Sequence, residues 1–441
     1  QAAGVLAADE AGVRLAAAPV GATLAAALPE GPRALARLAR GLLGGPTAVD
    51  ASDLPDLAEL PYAALRTAAA LAAASDDDAL AVAVAAAAAQ RALDLLAIED
   101  ARRILTAARP RLNDAVPPAQ RRGLLFAGAE AARIADATDD AAGDYQQVLA
   151  LAGDDPLLAA RAGIGLAKCR QLKGRYDEAL VAAIAAEDAA LAGNAPGLAG
   201  RAAVTRARIE LFSGKGAEAR ASSGRAVALT EGGAAPAVRA AALNLYGVMI
   251  VQADPLAGPE ALRMIREAVA LAQGVGDLVG VAAALENQGN AHLALGELAE
   301  ARAAFSRGAA LCKEHGIAVE GLSADMNLSL VLADLGDASA RALAEDVVAR
   351  AQALGRAFIE TIGMAALGRA EGRAARLPEA RAALDRALAR ALEIKNRLAE
   401  EYIRLYRLEL AVTMGDAETA ADEAAKVGDL VLATGHAEGR D

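Results

Sequence analysis

Three histidines, two cysteines and a few clusters of carboxylates and amides are the residues with the chemistry to act on a substrate. The histidines are His292, His315 and His436; the cysteines are Cys169 and Cys312. A nucleophilic site needs a Cys or Ser beside a base that a third group orients. A zinc site needs three or four Cys or His ligands. Only Cys312 and His315 lie close in sequence, and one pair makes neither. The two cysteines, far apart, build no disulfide framework and read as buried thiols in a reducing compartment. Asp76, Asp77 and Asp78 precede an alanine-rich run and read as a helix start, where acids meet the positive end of the dipole. The glycine fragments at 163–165 and 273–277 do not sit between a strand and a helix, and no GxxxxGK[ST] occurs. We therefore assign no catalytic residue, no metal ligand and no cofactor.

Residues 287–305, NQGNAHLALGELAEARAAF, show what positions these groups. As a template they place Gly289 at position 8, Gly296 at 15, Ala301 at 20, Phe305 at 24 and, just beyond, Gly308 at 27. Sliding the template along the chain marks position 20 at Ala101, Ala141, Ala179, Ala219, Ala261, Ala301, Arg341, Ala380 and Ala420. The beat is close to forty residues throughout. Such a beat is the signature of stacked supersecondary units. Each unit reads as a helical hairpin. The small residue at 8 lets helix A approach its partner, and the Gly at 15 ends it with positive φ. Helix B opens on acidic residues, crosses helix A closely at the Ala of 20 and fills the gap with the residue at 24. His292 then falls at position 11 and reads as a core ring with one nitrogen satisfied. His315 closes a helix, and His436 lies in a Gly-rich tail.

Composition agrees. Hydrophobic residues make up 55% but aromatics only 2%, so the core is built of small side chains that favour close helices over a sheet. The net charge is −12, with no basic stripe, which argues against nucleic acid. The apolar run at 79–90 stops at Arg91, too short and too weakly apolar to span a bilayer. No secretory signal is visible, so a cytoplasmic setting is expected. The chain begins with Gln1 rather than Met, as a processed product or a piece of something longer would.

This pattern resembles the tetratricopeptide repeat family, in the longer variant of kinesin light chains and bacterial regulators. ALNLYG (242–247), LENQGN (285–290) and MNLSL (326–330) come close to its helix A. The resemblance covers about residues 62–435. It implies an all-α fold: a right-handed TPR-like α-solenoid of about nine hairpins over residues 61–441. Residues 1–60 fall outside the period. GVLAADEAGVRL reads as two short strands around a turn at Asp9–Gly12, and LPEGPRALARLARGLL as an amphipathic helix. That order resembles the winged-helix end of STAND-class ATPases; a plain capping unit is the alternative.

The resemblance further implies a non-catalytic interaction module whose helices A line a concave face. The residues it puts there are Lys168, Gln171, Arg201, Arg208, Asn244, Asn287, Asn290, Asn327 and Arg369. Asn can donate and accept at once, so a row of them suits the backbone of an extended peptide. The expected partner is a protein or peptide, with neither nucleic acid nor membrane involved. A small molecule held within the superhelix of an ATPase- or kinase-linked sensor is the alternative, and scaffolding by self-association is a third.

Overall fold

The computed structural model describes residues 6–9, 12–15, 31–42, 57, 60–135, 137–233, 235–394 and 396–434. Two short strands come first, β1 (Leu6–Asp9) and β2 (Gly12–Leu15). They pair antiparallel with Leu6 opposite Leu15 and Asp9 opposite Gly12, as the sequence suggests. Two helices follow, α1 (Gly31–Leu42) and α2 (Tyr62–Ala73).

Nine hairpins then run in order among the described residues. They are α3 (Asp78–Asp94) with α4 (Ile98–Ala108), α5 (Pro118–Ile134) with α6 (Thr138–Leu151), and α7 (Pro156–Leu172) with α8 (Tyr176–Ala192). Next come α9 (Pro196–Phe212) with α10 (Gly216–Leu229), α11 (Pro236–Ala253) with α12 (Gly258–Gly274), and α13 (Leu278–Ala294) with α14 (Leu298–His315). The last are α15 (Ala318–Asp334) with α16 (Ala340–Ala353), α17 (Ala357–Arg373) with α18 (Leu377–Glu393), and α19 (Arg397–Met414) with α20 (Ala417–Thr434). Among the described residues no helix is long and apolar enough to cross a membrane.

Seven of the position-20 alanines sit where the hairpins close, while Ala420 is only half-buried. Ala101, Ala141, Ala179, Ala219, Ala261, Ala301 and Ala380 have no exposed surface at all. One assignment is corrected. Arg341 is exposed, and the buried residue of that hairpin is its neighbour Ala340. A guanidinium cannot enter a helix crossing that admits only a methyl group, so the true step runs one residue earlier. A 3₁₀ turn at Pro255–Ala257, inserted before α12, lengthens the step from Ala219 to Ala261.

The template positions meet across each hairpin. A Cβ on Gly289 would lie 2.5 Å from the Cε1 of Phe305, so position 8 is small because position 24 is large. Gly368 and Leu384 repeat the pairing, with a would-be Cβ 2.7 Å from Leu Cγ. The A-to-B turn also recurs. Gly296 adopts φ 73°, its N–H donates to the Leu293 carbonyl, and the Glu297 N–H donates to the His292 carbonyl. This doubly bonded turn satisfies the last carbonyls of helix A. Leu96 (φ 58°) and Ala375 (φ 59°) make the same turn without a glycine.

The described residues fall into two compact units, divided between Thr205 and Arg206. In the first, Leu35 and Ala39 of α1 share one core with Leu65 of α2, Leu80 and Val84 of α3, and Leu105 of α4. In the second, core groups succeed one another along the hairpins: Leu243 with Val281 and Leu285, Phe305 with Val331, and Leu322 with Ile362, Leu384 and Ile403.

Candidate partner-binding face

The chemistry-bearing residues weighed first take structural places. Asp77 caps α3, its Oδ1 accepting the Leu80 N–H at 2.9 Å. Asp78 is held by Arg111 at 2.6 Å and Asn113 at 2.8 Å. Both cysteines are buried and unbridged. Burial pushes both thiols upward, which keeps them protonated and unreactive. His292 is 5% exposed, its Nδ1 2.6 Å from Glu297 Oε2, so it fills the core and ties helix A to its own turn. Glu371 and Arg376 form the same tie two hairpins further on. His315 is exposed in the last turn of α14, and His436 lies outside the described residues.

The nine groove candidates all lie on helices A. Lys168 and Gln171 of α7 and Arg201 of α9 belong to the first unit. Lys168 and Gln171 are half-buried, and Arg201 is exposed. The rest belong to the second unit. Arg208 of α9 is exposed; desolvation by the surrounding protein lowers its guanidinium pKa, and no carboxylate among the described residues pairs with it.

Four candidates are brought together on successive helices A. The Asn287 amide of α13 donates to the Asn244 side-chain carbonyl of α11 at 3.1 Å. The Asn327 amide of α15 likewise reaches back to the preceding helix A, donating to Glu286 Oε1 of α13 at 2.9 Å. Ser323, one turn before Asn327, donates to the same oxygen at 2.8 Å. Asn290, one turn beyond Glu286, is half-buried and bonds to nothing among the described residues. A lateral strip of amides, one hydroxyl and one carboxylate thus crosses three helices.

Arg369 stands apart. Its guanidinium binds Asp334, lies 3.0 Å from Glu409, and stacks 4.2 Å over the Tyr406 ring. Its donors are committed within the chain, so it offers no open fork.

Glu286 and Ser323 were not among the sequence candidates. The signal for Glu286 is a charged residue between Leu285 and Asn287 on a helix that is otherwise uncharged from Leu278 to Ala291. Burial, first, and the neighbouring charge of Glu320 raise its carboxyl above the usual 4.5. The bonds from Ser323 and Asn327 oppose the shift without cancelling it.

No family model and no curated protein matches this chain. Solved structures do. A Rap protein complexed with Competence and Sporulation Factor aligns at a TM-score of 0.61 and 14% identity, over 81% of this chain and 99% of that one. The apo quorum sensor NprR from B. thuringiensis aligns at 0.58 and 15%, over 79% and 97%. NprR with its cognate peptide NprX aligns at 0.50 and 16%, over 79% and 98%. A STAND protein with a tetratricopeptide repeat sensor from Pyrococcus horikoshii aligns at 0.56 and 13%, over 96% of this chain and 66% of that one. The fold is a tetratricopeptide-type helical repeat. At these identities the likeness is one of fold, and the strip on α11, α13 and α15 is argued from its own residues. In a repeat of this type, neighbouring helices A lie side by side, which is why residues some forty positions apart bond to each other.

Proposed function

We propose that the chain is a non-catalytic sensor that binds an extended peptide or protein segment along the helix-A strip of α11, α13 and α15. One observation carries this: amides from three successive repeats share a strip on which Asn290 is left without a partner among the described residues. An amide that can donate and accept suits a peptide backbone, which presents both groups at every residue. The Rap and NprR likenesses support the reading, because those proteins were solved with a signalling factor and with a cognate peptide.

The order of strand pair, α1 and repeats supports reading the chain as the sensor end of a larger STAND-class signalling regulator. The likeness over 96% of this chain supports that context. In it, ligand binding would act on a domain outside this sequence. Two buried, unbridged cysteines support a reducing, cytoplasmic setting.

The test is an immobilised chain challenged with a random short-peptide library, alongside a thermal-shift screen of sugars and nucleotides. Retention of peptides with a common pattern supports the proposal. A shift with small molecules and no peptide retained would move the function to the small-ligand reading. Neither result, with self-association in light scattering, would favour a scaffold.

A further inference from the structure

We propose that Glu286 is the docking point for an alkylammonium group of the partner, either a lysine side chain or a free peptide amino terminus. The proposal rests on the peptide-binding reading above. Its observation is that Glu286 is half occupied. Oε1 is fixed by Ser323 at 2.8 Å and Asn327 at 2.9 Å, two residues one turn apart on α15. Oε2 has no protein partner among the described residues, and no Arg, Lys or His pairs with the carboxylate.

Several other charges of the second unit are paired. Arg239 meets Glu267 at 3.1 Å, Arg350 meets Asp325 at 2.8 Å, and Arg373 meets Glu409 at 3.3 Å. Glu286 instead faces the like charge of Glu320 and is partly withdrawn from water. A carboxylate withdrawn from water without a cation is costly, and it gains correspondingly when one arrives.

The geometry also selects the kind of cation. A guanidinium binds carboxylates best through both oxygens, and one of these is already taken. An ammonium is a point charge that needs only the open oxygen. A divalent metal would want several more oxygen ligands, and no metal-holding group of acids, histidines or cysteines occurs among the described residues. Asn290 sits one turn along α13, roughly 5–6 Å away between Cβ atoms. It can take the peptide backbone next to the charged group.

A purely structural Glu286 would need no charge, since a glutamine carbonyl accepts the same two bonds. Glu286→Gln therefore separates the roles. The probes are lysine-containing peptides retained from the short-peptide library, each remade with norleucine for lysine and with an acetylated amino terminus. Affinities are read by fluorescence anisotropy on the full chain. One of the two changes should weaken binding to the unmodified chain about tenfold, as loss of a charge-assisted bond implies. In E286Q that change should have no effect, while peptides lacking the group bind both proteins alike. Sensitivity to norleucine assigns the side chain; sensitivity to acetylation assigns the amino terminus. Peptides that bind the unmodified chain with neither sensitivity, or an E286Q that keeps the preference, overturn this inference and leave the peptide reading standing. No peptide retained at all overturns both.

Discussion

Gly289→Ala tests the packing rule that repeats along the chain. The added Cβ would meet Phe305 at 2.5 Å (Cε1), 2.6 Å (Cζ) and 2.8 Å (Cδ1). Carbon pairs are comfortable at roughly 3.5–4.0 Å, so the ring would have to retreat by about 1 Å. It has nowhere to go: Phe305 is fully buried and shares its core with Ala301 and Val331, with Leu293 and Leu328 packed against them. Overpacking of this kind costs about 1–3 kcal/mol. Replacing a helical Gly by Ala returns about 1 kcal/mol. Overlap with three atoms of a rigid ring puts the cost in the upper half of its range, so the net loss is about 1–2 kcal/mol. Urea unfolding followed by far-UV circular dichroism measures it. Phe305→Leu removes the obstacle, so G289A/F305L should be more stable than the sum of the single losses by about 1 kcal/mol. A Gly289→Ala variant more stable than the parent, or losses that simply add, would refute the pairing of positions 8 and 24.

Other consequences follow from single residues. Ala375→Gly should raise stability by about 0.5–1 kcal/mol in the same urea assay, because a left-handed conformation costs an L residue roughly 1–2 kcal/mol and glycine far less. Leu96→Gly should gain a similar amount, since its side chain is 81% exposed and loses little packing. Asn287→Ala should cost about 1 kcal/mol by leaving the buried Asn244 carbonyl unpaired, whereas Asn290→Ala should stay within about 0.5 kcal/mol of the parent. Glu286 predicts a pH dependence. Its carboxyl is raised above 4.5 in the fold, chiefly by burial, so the folded state holds the proton more tightly than the unfolded chain. Stability from this group therefore falls as pH rises from about 4.5 through the raised value. Melting curves of the parent and E286Q should diverge in favour of the parent as pH is lowered through that window; a constant gap would contradict the shift.

The hairpins were legible because their constraints are local and repeated. An alanine at most crossings, a glycine at most A-to-B turns and acids in the first turn of every helix B but α16 mark the units without reference to their neighbours. The slip from Ala340 to Arg341 arose where local marks were ambiguous: the run DASARAL offers alanines at 338, 340 and 342, and only packing chooses among them. The binding strip was half legible. Asn244, Asn287, Asn290 and Asn327 stood out by type and helix position. That Asn287 turns toward α11 while Glu286 turns toward α15 depends on the lateral register between repeats, which no local pattern encodes. Arg369 shows the same limit, because the acids that occupy it, Asp334 and Glu409, come from the helices on either side.

The central claim is that the helix-A strip receives an extended peptide, and Asn290 tests it most directly because nothing among the described residues uses its side chain. The measurement is a calorimetric binding isotherm of one library-selected peptide against the parent and N290A, with a melting curve of each. The account predicts binding weakened by about tenfold, as the loss of bonds to a peptide backbone implies, with melting unchanged. Equal affinity in the two proteins would contradict it.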